Sequence, residues 1–179
     1  MVYSSAKQGD FMATITLKGN PIHTNGELPS KGSKAPDFSL SGADLMDVGL
    51  STFAGKTKIL NIVPSLDTGI CAMSAVRFNK EVEKLENTVI LNISADLPFA
   101  AKRFCDGEKL SHIVTLSTFR SPAFGRDFKV EIIDGPLKGL LSRAIIVLDA
   151  NNMVVYTEQV PEIVQEPNYS AALEAVQSL

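Results

Sequence analysis

Apolar residues in this chain arrive in short runs that switch between two periods. Lys58-Ile59-Leu60-Asn61-Ile62-Val63, stopped by Pro64, reads as a strand. Thr88 to Ser94 (Thr-Val-Ile-Leu-Asn-Ile-Ser) reads as a second central strand, apolar enough to be covered on both faces. Val114 to Ser117 is a shorter third. Ala144–Leu148 and Met153–Tyr156 flank Asp149-Ala150-Asn151-Asn152, a turn signal that predicts an antiparallel pair. Between the first two strands the period changes. Cys71, Ala75, Phe78, Val82 and Leu85 recur at alternating spacings of four and three, which predicts an amphipathic helix from about Ile70 to Glu86. Cys71 then lies in the first turn of that helix, on its inward stripe.

The remaining elements are shorter. Thr14–Leu17 and Ile22–Thr24 flank Gly19-Asn20-Pro21, which predicts an N-terminal hairpin. Phe38–Leu40 and Val48–Leu50 are brief extended pieces, and Ser51 is placed to cap a helical turn ending at Gly55. A short helix over Phe99–Cys105 follows Asp96-Leu97-Pro98, and a closing helix over Ser170–Gln177 has Asn168 as its cap. Strands alternating with helices indicate an α/β fold. No repeat or linker breaks the pattern, so residues 12–179 are expected to form one domain. Residues 1–11, ahead of a second methionine at Met12, read as a leader or an expression scar.

Composition narrows the function classes. Apolar residues make up 45% and charged residues 21% of the 179, the balance of an ordinary globular protein. A net charge of −3 gives no footprint for nucleic acid. No apolar stretch approaches the roughly 20 residues of a membrane-spanning helix. The N-terminus has no hydrophobic signal core, and a cytoplasmic location is expected. Two cysteines and two histidines, without Cys-x-x-Cys or His-x-x-x-His spacing, do not make a structural zinc site. The thiols are then either two inert buried groups, or one reactive thiol with a partner.

The surroundings of Cys71 bear on that choice. Unpaired N–H groups and the positive end of the helix dipole favour thiolate over thiol in a helix's first turn. Thr68, three residues earlier, brings a hydroxyl beside the sulfur, and Pro64 can shield it from water. Asp67 opposes a thiolate unless it turns outward or pairs with an arginine. Arg143 heads an otherwise apolar strand, where it either marks a surface end or supplies a fixed cation. Arg103 and Arg120 can line a site mouth or simply be solvated. His23 and His112 lack the setting of a catalytic triad, and Gly135–Gly139 reads as a turn rather than a phosphate loop.

Pro64-x-x-x-Thr68-x-x-Cys71 at a strand-to-helix junction resembles the active-site signature of peroxiredoxins. The longer string Asn61–Cys71 resembles the bacterial thiol peroxidase branch in particular. So do Ser94-Ala95-Asp96-Leu97-Pro98-Phe99-Ala100, Arg103-Phe104-Cys105, Leu116–Arg120 and Asp134–Leu140. The resemblance runs from about Met12 to the C-terminus. It implies a thioredoxin-like fold, a central mixed sheet flanked by helices with an N-terminal β-hairpin extension. It assigns Cys71 as the peroxidatic cysteine, Cys105 as the resolving cysteine, Thr68 and Arg143 as active-site residues and Pro64 as the shielding proline. It further implies an intramolecular Cys71–Cys105 disulfide, thioredoxin as reductant, hydrogen peroxide and organic hydroperoxides as substrates, and a homodimer acting in antioxidant defence. No metal or organic cofactor is expected. A non-enzymatic thioredoxin-fold sensor or binding module is the alternative. A thiol–disulfide oxidoreductase is disfavoured for want of Cys-x-x-Cys.

Overall fold

A computed structural model describes residues 12–179; the proposed leader, 1–11, lies outside the described residues. Two sheets are present. The smaller is a hairpin of β1 (Thr14–Leu17) and β2 (Asn20–His23). Its turn is Lys18-Gly19, one residue or two earlier than the sequence suggests. Both residues have positive φ, 50° and 79°, as a two-residue turn matched to strand twist requires. Asn20 and Pro21 are therefore paired in β2, opposite Leu17 and Thr16. A proline is tolerated there because a two-stranded sheet consists of edges.

The larger sheet contains β3 (Leu40–Ser41), β4 (Asp47–Val48), β5 (Thr57–Ile62), β6 (Thr88–Ser94), β7 (Ile113–Ser117), β8 (Ala144–Leu148) and β9 (Val154–Gln159). Their spatial order is β4-β3-β7-β6-β5-β8-β9. β5, β6 and β7 run parallel, while β8, β9, β3 and β4 add antiparallel pairs at the two sides. This is the mixed sheet that the family resemblance implies. The helices are α1 (Gly69–Val82), α2 (Pro98–Glu108), α3 (Ala123–Asp127) and α4 (Tyr169–Gln177).

Alternation along the central strands explains their unbroken apolar runs. Ile59, Ile90, Ile145 and Val147 face α1 and α4, where Phe78, Val82, Tyr169, Ala172 and Val176 cover them. Leu60, Ile62, Leu91, Ile93, Ile146 and Leu148 face the opposite core, closed by Phe124 and Phe128. Both faces are covered, so both phases of each strand are largely apolar. Asn61, Asn92 and Ser74 form a buried polar group on the α1 side. Ser74 Oγ bonds Asn61 Oδ1 at 3.1 Å, and Asn61 bonds Asn92 across the parallel pair.

Several boundaries differ from expectation. α1 ends at Val82, although Leu85 still packs on the core it was expected to cover. α2 continues through Asp106-Gly107-Glu108 and stops where Lys109 turns left-handed at φ 55°. Ser51 lies inside a 3-10 turn, Leu50–Phe53, whose cap position is Gly49. Asn168 does cap α4, accepting from Ala171 N at 3.1 Å.

Candidate active site

The parallel strands β5 and β6 discharge their connections at one edge of the sheet, where open α/β sheets present their ligands. β8 runs the other way, with Ala144 paired to Ile62, so Arg143 enters that same edge from the opposite direction. The register thus brings residue 143 beside the 63–71 connection, across a sequence gap no local pattern spans.

Thr68 occupies the cap position of α1 with extended backbone, φ −109° and ψ 140°, but its side chain does not cap the helix. Its Oγ1 lies 2.7 Å from Cys71 Sγ and 3.1 Å from Ser65 O. One hydroxyl hydrogen serves one of these at a time. With a protonated thiol it points to Ser65 O; with a thiolate it turns to the sulfur. The first-turn N–H groups keep no side-chain cap, and no acidic residue stands in that turn. Asp67 is exposed and pairs with no cation among the described residues. The conflict it posed in the sequence is resolved by its facing outward.

Cys71 is fully buried, and Arg143 is 2% exposed. Arg143 Nη2–H donates to Cys71 Sγ at 3.2 Å, and Nε–H donates to Ile163 O at 2.9 Å. Nη1 is buried with no partner. A guanidinium out of water with an unused donor is costly unless an anion or a polar ligand completes it. It borders a cleft of about 290 Å³ whose polar members are Ser65, Thr68 and Arg143. Pro64 lines it too and is itself buried. Leu17, Ile70, Leu137, Leu140, Ile163 and Val164 supply the apolar walls.

Both cysteines are free thiols. Cys105 is half-buried and packs against the apolar cluster of Val63, Leu66, Cys71, Ala75, Ala101 and Leu110. Burial, with the Asp106 carboxylate second, pushes the Cys105 thiol up from its ordinary range, against a hydrogen bond from Thr115. Cys105 also borders a separate groove with Lys102, Asp106 and Thr115.

The other candidates fall elsewhere. Arg120 donates to Asp47 Oδ1 at 2.6 Å and to Leu45 O at 2.8 Å, tying down the β3–β4 turn. Arg103 is exposed on α2. His112 pairs with Glu83 at 3.1 Å, and His23 Nδ1 lies 2.6 Å from Asp134 Oδ2. Gly135–Gly139 is a turn, and its Leu137 reaches the cleft wall. Sequence reasoning missed Ile163, because a backbone carbonyl carries no residue signature. It also assigned no task to Asp96, which binds the loop that carries Thr68.

Known proteins resemble this chain in sequence and in fold. The Redoxin family model matches residues 30–173. A thiol peroxidase of Mycobacterium bovis is 52% identical over 165 residues, covering 92% of this chain and 99% of that protein. The crystal structure of a peroxiredoxin-like protein from Aquifex aeolicus superposes with a TM-score of 0.88 at 34% identity, covering 93% of this chain and 98% of its own. A thiol peroxidase from Chromobacterium violaceum gives a TM-score of 0.84 at 26% identity, over 92% and 95% of the two chains.

Proposed function

The chain belongs to the redoxin family, among its peroxiredoxin-type thiol peroxidases, and from that premise we propose that Cys71 reduces hydroperoxides as a thiolate nucleophile. The observation that carries this reading is the convergence on one buried sulfur. Arg143 Nη2 at 3.2 Å and Thr68 Oγ1 at 2.7 Å meet Cys71 Sγ at an uncapped helix N-terminus. Nη1 remains buried and unused, on a residue that lines the cleft. The thiolate attacks the distal peroxide oxygen, the O–O bond breaks, and water or an alcohol leaves after taking a proton. Cys71 becomes a sulfenic acid. Arg143, Thr68 and the first-turn N–H groups stabilise charge moving onto the departing oxygen.

Cys105 then condenses with the sulfenic acid, releasing water and leaving a Cys71–Cys105 disulfide. Shared packing in one apolar cluster supports that pairing. A dithiol protein of the thioredoxin type returns both sulfurs to thiols. The apolar cleft walls favour the organic portion of an alkyl hydroperoxide over bare hydrogen peroxide. We place this chemistry in a homodimer, as the family resemblance implies, and in the cytoplasm.

Replacing the nucleophile tests the reading. Cys71→Ser is expected to abolish peroxide consumption, because a serine hydroxyl is far too weak an acid to ionise in this setting. Peroxidase turnover near the wild-type rate in that variant would remove Cys71 from its assigned role.

A further inference from the structure

The connection from Pro64 to Thr68 is neither helix nor strand, yet it must hold Thr68 Oγ1 within reach of the sulfur. Irregular backbone needs partners for its N–H and C=O groups from outside. Here Asp96, which directly precedes the cap residue of α2, takes one backbone N–H of the connection and one of its hydroxyls. Asp96 Oδ1 accepts from Ser65 Oγ at 2.7 Å. Its Oδ2 accepts from Leu66 N at 2.7 Å and from Ser94 Oγ at 2.8 Å. Ser65 in turn holds the next residues. Its Oγ accepts from Asp67 N at 3.1 Å, and its carbonyl faces Thr68 N at 3.4 Å and Thr68 Oγ1 at 3.1 Å. Asp96 is itself fixed at the sheet edge, because its carbonyl accepts from Ser117 Oγ at 2.5 Å. No cation pairs with the carboxylate among the described residues.

We propose that Asp96 is a positioning residue for the thiol: its carboxylate fixes Ser65, and through Ser65 fixes the Thr68 hydroxyl against Cys71 Sγ. The inference rests on the reading of Cys71 as the reactive thiol. A carboxylate suits the position because three donors converge on it and hydrogen bonds to an ionised acceptor are shorter and stronger than neutral ones. Alanine at 96 leaves those three donors without their acceptor and lets the loop shift. A displacement on the order of 1 Å at a reacting centre costs roughly 10²-fold in rate. Asparagine preserves the shape. Its oxygen can accept from Leu66 and Ser94, while its amide donates to Ser65 Oγ, which has a second lone pair free.

The test compares Asp96→Ala, Asp96→Asn and Ser65→Ala, each in a Cys105→Ser background so that Cys71 alone reports. Two quantities are read: the second-order rate of Cys71 oxidation by a hydroperoxide, by quenched flow and mass spectrometry, and the pH midpoint of Cys71 alkylation. Asp96→Ala is expected to lower the rate by roughly 10²-fold and to move the alkylation midpoint upward, because the Thr68 donor no longer supports the thiolate. Asp96→Asn should recover most of both, and Ser65→Ala should reproduce the loss in part. A purely structural role would lower the melting temperature and leave the alkylation midpoint where it was. If Asp96→Ala does not fold, Ser65→Ala decides, and wild-type rate and midpoint there overturn the inference. Inactive Cys71→Ser beside an unimpaired Asp96→Ala would sink this inference alone. Active Cys71→Ser would instead sink the reading beneath it.

Discussion

Arg143 shows at the scale of one residue why charge and shape are separate requirements. Nε is spent on Ile163 O, Nη2 on Cys71 Sγ, and Nη1 is buried without a partner. Lysine retains the charge but not the planar fork that serves these three directions together. Arg143→Lys is therefore expected to lower the second-order rate toward peroxide by roughly 10²–10³, the typical effect of losing a preorganised donor. An unchanged rate in stopped-flow competition would contradict the assignment. Cys105 is held above its ordinary range by burial and then by Asp106, so it competes poorly for peroxide while α2 is intact. Cys105→Ser should preserve the first oxidation of Cys71, remove thioredoxin-dependent turnover and leave the sulfenic acid open to over-oxidation. Mass spectrometry of the peroxide-treated variant reads this as sulfinic Cys71; equal loss of the first step would mean Cys105 does more than resolve. Pro64, Thr68 and Cys71 could be named as candidates because one local motif holds all three, whereas Arg143 came only from the family resemblance, since nothing local links it to that motif. Ile163 and Asp96 were given no role. One acts through its backbone, and the other acts on a loop 30 residues away whose approach depends on the parallel pairing of β5 with β6.

Helices α1 and α2 carry the two thiols on very different footings. α1 buries Cys71, Ser74, Ala75, Phe78, Asn79 and Val82, whereas α2 fully buries only Pro98 and Ala101. Phe99 is 66% exposed and Leu97 is 53% exposed at its N-terminal end. Opening a segment costs in proportion to the apolar contacts it gives up, so α2 is the element expected to yield if the proposed Cys71–Cys105 disulfide closes. Matched hydrogen-exchange maps should show faster exchange over Phe99–Leu110 in the disulfide form, with Phe78–Val82 nearly unchanged. Loosening confined to α1 would show that the mobile side has been misassigned. Element boundaries were legible in proportion to apolar content. β6 and β8 begin and end where their apolar runs do. α2 runs past its expected end because Asp106, Gly107 and Glu108 are solvent-facing, and an exposed last turn leaves no periodic trace. α3 passed unnoticed for a related reason: five residues that include a glycine are too few to display a period.

Taken as a whole, the molecule assembles its cleft from both sheets, and the N-terminal hairpin is what joins the walls. β2 holds one side: Ile133 N donates to His23 O at 2.9 Å, and His23 N donates to Asp134 Oδ1 at 2.7 Å, just ahead of Leu137 and Leu140. β1 holds the other, because Ile163 N donates to Thr16 O at 2.9 Å, and Ile163 O is the acceptor for Arg143. Ile15, Ile22, Ile132 and Ile163 close a small core between them. Glu162 locks this arrangement. Its carboxylate accepts from Gly19 N, Lys18 N, Thr16 Oγ1 and Val164 N at 2.9, 3.0, 2.8 and 3.3 Å. The Gly19 N–H, followed by the Thr16 hydroxyl and the other amides, draws its pKa down from 4.5 to about 2, against some desolvation. The sign of the linkage follows. Between those values the unfolded chain binds a proton that the folded chain does not, so Glu162 contributes in full above about pH 4.5 and loses its contribution as pH falls toward 2. Glu162→Gln should be less stable than wild type at pH 7 in urea unfolding. The two stability curves should then converge as pH drops below about 4.5, since only the wild type has this carboxylate left to protonate. Asp134, held low by its hydrogen bonds from His23, adds acid sensitivity common to both proteins and cancels in the difference. Curves that stay parallel from pH 7 to 3 would mean the four donors do not stabilise the charge. The hairpin would then be held to the cleft wall by the isoleucine core rather than by Glu162.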